Sequence, residues 1–168
     1  MARRYRHTLV ALCCVACLFA PMAVQAQSSA ATCFGKSATI VGTDSNDVLT
    51  GTGDNDVIVG HLGFDTITGG AGNDFICGSR GDDVLYGEEG ADRIDAGPDK
   101  DDVLYGGAGS DFLDGGAGIS DVIVFATPTG VRANLDTGTA TGEGNDSIVG
   151  AEELAGSPGN DFLTGNSA

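Results

Sequence analysis

Aspartates that recur every nine residues are the side chains of this 168-residue chain best suited to bind an ion. They occupy the sixth position of consecutive units from Gly42 onward, and the register survives two units that carry one extra residue. These aspartates are Asp47, Asp56, Asp65, Asp74, Asp83, Asp92, Asp102, Asp111 and Asp121. Carboxylate and carbonyl oxygens are the ligands of calcium, a hard ion that takes about six to eight of them. The regularly spaced carboxylates are therefore suited to bind several hard cations, such as Ca²⁺, along the chain.

Glycines occupy the first, second and fourth positions, ahead of the aspartate, in the most regular unit, which runs from Gly69 to Cys77. Because glycine adopts positive φ without steric cost, we expect all three positions to turn the backbone and point carbonyl oxygens toward the ion. The glycines expected to contribute to the sites are Gly63, Gly70, Gly72, Gly81, Gly90, Gly107 and Gly109. Ser45 and Asp54 replace the fourth glycine in the first two units, so we expect poorer sites there.

An aliphatic residue follows each aspartate by two positions, as Ile76 follows Asp74 and Leu85 follows Asp83. The last three residues of each unit are predicted to form a short strand, whose central side chain points inward while its neighbours point outward. A flexible glycine-rich linker is the alternative, but a linker has no reason to hold an aliphatic residue in phase with a carboxylate. The elements that position the aspartates are therefore alternating tight loops and short strands.

The unit resembles G-G-x-G-x-D-x-U-x, the calcium-binding nonapeptide of the RTX or haemolysin-type repeat family, over residues 42–124. This resemblance implies an all-β fold, a parallel β-roll or right-handed β-solenoid, in which two units make one coil and coils lie about 4.8 Å apart. It also implies that an ion lies between loops two units apart. Asp83 would then share ions with Asp65 and Asp102, and Asp92 would share ions with Asp74 and Asp111.

The two ends depart from the repeat and define the predicted organisation. Residues 27–41 read as an N-terminal cap, since Ile40 is in phase but Ala38 stands where aspartate is expected. Residues 42–124 form the array, and residues 125–168 a closing module that begins with two short strands around a turn at residues 136–138. Two further repeats follow, in which Asp146 and Asp161 either bind calcium or belong to a purely structural final coil. Residues 151–154 read as a brief connector.

Residues 1–26 are predicted to be an export signal, with a basic head, an apolar stretch from Leu9 to Ala23 and small residues before a cleavage point after Ala26. A membrane-spanning anchor would need about 20 continuous apolar residues, and Pro21 interrupts this run. Twin-arginine export and a lipid anchor at Cys17 fit the sequence less well. Cleavage would remove three arginines and change the net charge from −16 to −19.

Cysteine usage after cleavage reduces to Cys33 and Cys77, because the other three cysteines lie within residues 1–26. An even pair in an exported chain favours a disulfide. Two separate thiols are the alternative, which spacing alone does not exclude.

The sequence predicts a secreted, monomeric calcium-binding module and no enzyme. It contains no H-E-x-x-H zinc site and no G-x-S-x-G nucleophile turn, and His61 is expected to be a surface loop residue. The acidic charge disfavours nucleic acid and anionic membranes as partners, and it leaves any protein or glycan target open. The alternatives are an enzyme that acts on a polysaccharide, with Arg80, Arg93 and Arg132 on the outer face, and an adhesin-like surface protein.

Overall fold

The computed structural model describes residues 30–99 and 101–166, and these contain strands but no α-helix. The predicted export signal lies outside the described residues. The strands of the N-terminal half are β1 (Thr32–Cys33), β2 (Lys36–Ser37), β3 (Ile40–Val41), β4 (Val48–Thr50), β5 (Val57–Leu62), β6 (Thr66–Ala71), β7 (Phe75–Arg80), β8 (Val84–Glu89) and β9 (Arg93–Asp95). Those of the C-terminal half are β10 (Val103–Ala108), β11 (Phe112–Asp114), β12 (Val122–Val124), β13 (Arg132–Asn134), β14 (Thr139–Thr141), β15 (Asn145–Val149), β16 (Glu153–Ala155) and β17 (Phe162–Thr164). No helix in the described part of the chain is long and apolar enough to cross a membrane.

Successive repeats alternate between two sheets, so that each strand pairs in parallel with the strand two units later. One sheet has six strands in the order β16-β12-β10-β8-β6-β4, and the other has nine in the order β17-β13-β14-β15-β11-β9-β7-β5-β3. The aliphatic positions fall opposite one another, with Ile67 beside Leu85 and Ile76 beside Ile94. The predicted parallel β-roll is confirmed, and one coil consists of two repeats.

A single column of aliphatic side chains fills the space between the sheets. One such residue comes from each repeat, and the column comprises Ile58, Ile67, Ile76, Leu85, Ile94, Leu104, Leu113, Ile123 and Ile148, all at most 2% exposed. Their strands alternate buried and partly exposed residues, which follows from the two-residue period of a strand. The core is therefore only one side chain wide, and most of each repeat is surface or loop.

The N-terminal segment, residues 30–41, both begins the nine-stranded sheet and covers part of its outer face. Ile40 lies on β3 and pairs with Ile58, so the decayed repeat forms the first layer of the nine-stranded sheet, as its phase predicts. The preceding hairpin, β1 and β2, instead lies on the outer face of that sheet. There Cys33 is buried against Val57 and Val59, and Phe34 packs edge-on against the rings of Phe75 and Phe112.

The closing module contains the predicted hairpin, since β13 and β14 pair antiparallel across a turn in which Gly138 has a φ of +65°. The interpretation of residues 151–154 as a connector was wrong. Residues 153–155 form β16, which extends the six-stranded sheet with Leu154 opposite Ile123 in the aliphatic register. The reason is that Glu152 and Leu154 keep the acid-x-aliphatic spacing of the repeat, and Gly150 keeps its fourth-position glycine with a φ of +67°.

Candidate metal centre

The repeat aspartates form two columns, one along each edge of the roll. In each column the backbone N–H of one aspartate donates to Oδ1 of the aspartate one coil later, at 2.7–3.1 Å. The first column runs through Asp47, Asp65, Asp83, Asp102 and Asp121, and the second through Asp56, Asp74, Asp92, Asp111 and Asp146. Hydrogen bonds to a carboxylate are stronger than neutral ones, so the ladder fixes each side chain in place. The pairs expected to share ions are therefore vertical neighbours.

The second carboxylate oxygen is left without a partner along the middle of both columns. The buried Oδ2 atoms without a hydrogen bond in the described residues belong to Asp65, Asp74, Asp83, Asp92, Asp102, Asp111 and Asp121. Each of these side chains is at most 3% exposed. A buried charged oxygen without a partner costs several kcal/mol, on the order of the desolvation penalty for an ion in a protein. The arrangement thus calls for a positive charge at each of these oxygens.

The first-position glycines lie directly against these unpartnered oxygens. A Cβ atom placed on Gly60 would meet Oδ2 of Asp65 and, at 2.7 Å, the carbonyl oxygen of Gly78 one coil later. Gly78 repeats the relation with Asp83 and the carbonyl oxygen of Ala96. The small space left by the missing side chain is therefore bordered by a carboxylate oxygen and a carbonyl oxygen, which are both calcium ligands by type.

This geometry corrects the expected role of the first glycine. Positive φ was predicted for the first, second and fourth positions, but the first-position glycines do not have it. They are required because a side chain would collide with the carboxylate and the carbonyl. The candidate glycines at positions two and four do have positive φ, between 92° and 147°: Gly63, Gly70, Gly72, Gly81, Gly90, Gly107 and Gly109.

Three loops adopt the same left-handed backbone at the second position without glycine. His61, Ser79 and Glu88 have φ values of 85°, 87° and 80°. This conformation is uncommon for residues with a side chain, and it costs on the order of 1–3 kcal/mol. The loop shape is therefore imposed by the stack and its close backbone approaches rather than by local preference. His61 is half-buried in such a loop and lies beside Ser79 in the parallel pair of β5 and β7.

Burial sets the electrostatics of the columns. Removal from water raises the pKa of Asp102 and of Asp111 to about 7, and the carboxylates above and below each one add to the rise. Burial likewise raises the pKa of Asp83 and of Asp92 to about 6. Like charges stacked in a poorly solvated column repel one another, and a divalent cation would relieve both the repulsion and the loss of hydration.

The terminal loops satisfy their aspartates differently. The backbone N–H and the hydroxyl of Thr43 both donate to Oδ2 of Asp47, at 2.6 and 2.9 Å, and Thr52 makes the same pair of bonds to Asp56 at 2.7 and 2.8 Å. Burial on its own would raise the pKa of Asp56, but the hydrogen bonds from Thr52 and from Thr39 lower it below the ordinary value. These two aspartates are therefore already provided with donors.

The closing module contributes three further acids, of which two extend the aspartate columns and one lies apart from them. Asp146 continues the second column, since its Oδ1 accepts from the N–H of Asp111, and burial raises its pKa to about 6. Asp161 lies apart from the columns and accepts from the hydroxyl of Ser157 and the N–H of Val131. Glu152 was missed in the sequence, yet its Oε2 accepts from the N–H of Asp121 at 3.1 Å and so ends the first column. An acid two residues before Leu154 was the available signal.

The donor set fits calcium through two vertical carboxylates and backbone carbonyls. No three His, Cys, Asp or Glu side chains converge on one point within residues 30–99 and 101–166, so a site built from side chains alone is not present there. An ion held next to Asp83 would take the Oδ2 of that residue together with carbonyl oxygens of its own loop and of the next coil. This mixture of carboxylate and carbonyl oxygens is what calcium accepts in flexible geometry.

A disulfide joins Cys33 to Cys77 across 44 residues of sequence, with the Cα atoms 5.8 Å apart. It ties the hairpin to β7 on the outer face of the nine-stranded sheet rather than to an ion-binding loop. Arg93 lies 4.8 Å from the ring of Phe34 and 4.4 Å from that of Phe112, which extends the contact over further strands. The hairpin is therefore held to the roll by contacts that do not involve the aspartate columns.

Comparison with known families agrees with this geometry. The RTX calcium-binding nonapeptide repeat family matches residues 37–67, 50–85, 68–101, 99–122 and 149–168, which together cover more than half of the chain. No curated protein is similar enough to the chain to count as a relative. The matched segments coincide with the stacked loops and strands described above, and they include the last repeat around Asp161. The chain therefore belongs to the RTX calcium-binding nonapeptide repeat family.

Proposed function

We propose that this protein is a secreted, non-catalytic structural or binding module that folds when calcium binds to its aspartate columns. The single observation that carries the proposal is the set of seven buried, unpartnered Oδ2 atoms, each in a repeat of a family that binds calcium. A hydrogen-bond donor on a side chain would have satisfied them, and within the described residues none reaches these atoms. Several Ca²⁺ ions, each held mainly by two successive aspartates of a column, account for the arrangement.

Folding on binding follows from the balance between charge and core. The chain has a net charge of −16, its carboxylates are stacked in the interior, and its core is one aliphatic side chain per repeat. Without cations the columns repel, and the thin core offers little hydrophobic compensation. Metal binding free energy then becomes folding free energy, as in other small metal-dependent domains.

Calcium titration of the purified protein tests the proposal. We expect circular dichroism to show little β structure in excess chelator and a cooperative gain at about 0.1–1 mM calcium, the range of extracellular calcium modules. Magnesium should substitute poorly, because it requires tight octahedral geometry and gives up water reluctantly. A complete β spectrum in chelator that calcium leaves unchanged would contradict the proposal.

Secretion is supported by the residue pattern of segment 1–26 and by the disulfide, because such bridges persist in oxidising compartments. Expression of the full chain followed by fractionation and N-terminal sequencing checks it, and an exported protein that begins at Gln27 is the expected result. The division into a cap (27–41), an array (42–124) and a closing module (125–168) is proposed on the same footing.

The enzymatic alternative gains no specific support from the outer face. Of the three arginines considered for it, Arg93 lies over the rings of Phe34 and Phe112, and Arg132 lies over the ring of Phe162 at 4.8 Å. These guanidinium groups are engaged in packing, which is a structural use of the side chain. A screen of acidic polysaccharides with the calcium-loaded protein would reveal such an activity directly.

A further inference from the structure

The loops of the roll fall into two classes that differ in backbone and in hydrogen bonding. In the middle loops the second residue has positive φ and the aspartate Oδ2 has no partner. In loops 42–47, 51–56 and 156–161 the second residue is Thr43, Thr52 or Ser157, and neither the second nor the fourth residue has positive φ. Loop class therefore follows the backbone at the second position, since Ser79 also carries a hydroxyl but has a φ of 87° and leaves Oδ2 of Asp83 without a partner.

The hydroxyl at that position bridges the loop from within. It donates to the aspartate at position six, at 2.9 Å from Thr43, 2.8 Å from Thr52 and 2.6 Å from Ser157. It also accepts the N–H of the residue at position four, at 3.2, 3.1 and 3.1 Å respectively. Three separate loops thus share a contact between this hydroxyl and the carboxylate, which is made to Oδ2 of Asp47 and Asp56. In the third loop the hydroxyl meets Oδ1 of Asp161, which also accepts the N–H of Val131.

We propose that loops 42–47, 51–56 and 156–161 do not bind calcium, because their second-position hydroxyl takes the place of the ion, so that calcium is confined to the loops between them. This inference rests on the proposed function of the middle loops. The middle loops then form the calcium-binding part of the roll. The repeats on either side of them keep the sequence pattern of the family, but hydrogen bonds close their loops. The chain would then bind fewer ions than its repeats suggest.

A matched pair of substitutions tests the inference by counting bound calcium. Asp56 and Asp92 lie in the same column and are both buried, at 7% and 1% exposed. Asp56→Asn and Asp92→Asn each remove a charge while keeping an oxygen that can accept a hydrogen bond. Bound calcium is measured at saturation by equilibrium dialysis and elemental analysis. We expect Asp56→Asn to bind as many ions as the unmodified protein, and Asp92→Asn to bind at least one fewer.

A gain of binding provides the complementary test. Thr52→Gly combined with Asp54→Gly gives the loop the glycines of the middle repeats, and we expect it to bind one additional calcium ion per molecule. Thr52→Ser keeps the hydroxyl and should leave the count unchanged. Asp74→Asn provides a second middle-loop comparison in case Asp92→Asn fails to fold.

The outcomes separate this inference from the function on which it rests. If Asp56→Asn loses an ion as Asp92→Asn does, the loop of Asp56 is a calcium site and the inference is wrong. If the unmodified protein binds no calcium at all, the proposed function itself fails and the inference fails with it. An unchanged count for Asp56→Asn with a reduced count for Asp92→Asn supports both.

Discussion

Replacement of Asp83 in the middle of the first column should be far more damaging than replacement of Asp47 at its start. Oδ1 of Asp83 accepts the buried N–H of Asp65 at 2.8 Å, and its Oδ2 is one of the unpartnered oxygens. Asp83→Ala leaves that N–H without an acceptor, and a hydrogen bond to a charged group contributes about 1.5–3 kcal/mol. Loss of a calcium ligand adds to this cost, so the free energy of unfolding in saturating calcium should fall by at least that amount.

Asp47 contributes less because it is only half-buried and its mostly exposed loop is closed by Thr43. Water can replace the carboxylate at these exposed donors, so Asp47→Ala should cost about 1 kcal/mol or less, as exposed polar contacts generally do. Asp83→Asn separates the two roles of the middle residue. Its amide oxygen can still accept from Asp65, but its charge is lost, so it should raise the calcium concentration at the folding midpoint without weakening any structure that persists in chelator.

Urea unfolding followed by circular dichroism, at fixed ionic strength and saturating calcium, gives the free energies for the two alanine variants. A calcium titration without urea gives the midpoints for all three. If Asp47→Ala lowers the free energy of unfolding as much as Asp83→Ala does, the hypothesis that successive aspartates of a column share calcium ions is wrong. The same holds if Asp83→Asn leaves the calcium midpoint where it was.

Three further predictions follow from individual contacts. Gly90→Ala should destabilise the calcium form by about 1–3 kcal/mol in urea unfolding, because Gly90 has a φ of +135° and lies against the backbone of the preceding coil, whereas Gly53→Ala, in open space, should cost little. Replacement of both Cys33 and Cys77 by serine should lower the free energy of unfolding by up to about 4 kcal/mol, the loop-closure value for 44 residues. Thermal unfolding checks this, because reductant should destabilise the unmodified protein by the same amount and leave the serine variant unchanged. In chelator, acid should favour the fold: burial and then neighbouring carboxylates raise the pKa of Asp111 from 3.8 to about 7, so stability is greatest below about pH 4 and is lost as pH rises through 7. Circular dichroism between pH 8 and pH 5 checks this, and a β signal that falls on acidification would contradict it.

The repeat could be predicted from sequence because its physics is local and periodic. An aspartate and an aliphatic residue two positions apart must lie on the same strand-loop junction in every unit, and stacking then aligns all of them. Ile67, Leu85 and Leu104 accordingly lie directly opposite one another in the six-stranded sheet. The fold and the two columns could therefore be predicted from the spacing together with the family resemblance that it carries.

Other features depend on contacts that no period reveals. The hairpin lies on the outer face because Phe34 finds the rings of Phe75 and Phe112, which are far from it in sequence. Glu152 ends a column although its segment keeps only the fourth-position glycine of the repeat, since a longer acid can still reach the N–H of Asp121. The role of the first glycine could not be predicted from sequence either, because a position that lacks space for a side chain and a position that needs positive φ are both occupied by glycine.

The disulfide has a mechanical consequence that the calcium sites do not share. Strands β3, β4, β5 and β6 all lie inside the covalent ring closed by Cys33 and Cys77. When the chain is pulled from its two ends, these 44 residues cannot lengthen, which withholds on the order of 150 Å of contour. Extension under load would therefore proceed through the coils after Cys77, while the first coils stay within the covalent ring. The roll then resists force unequally along its length.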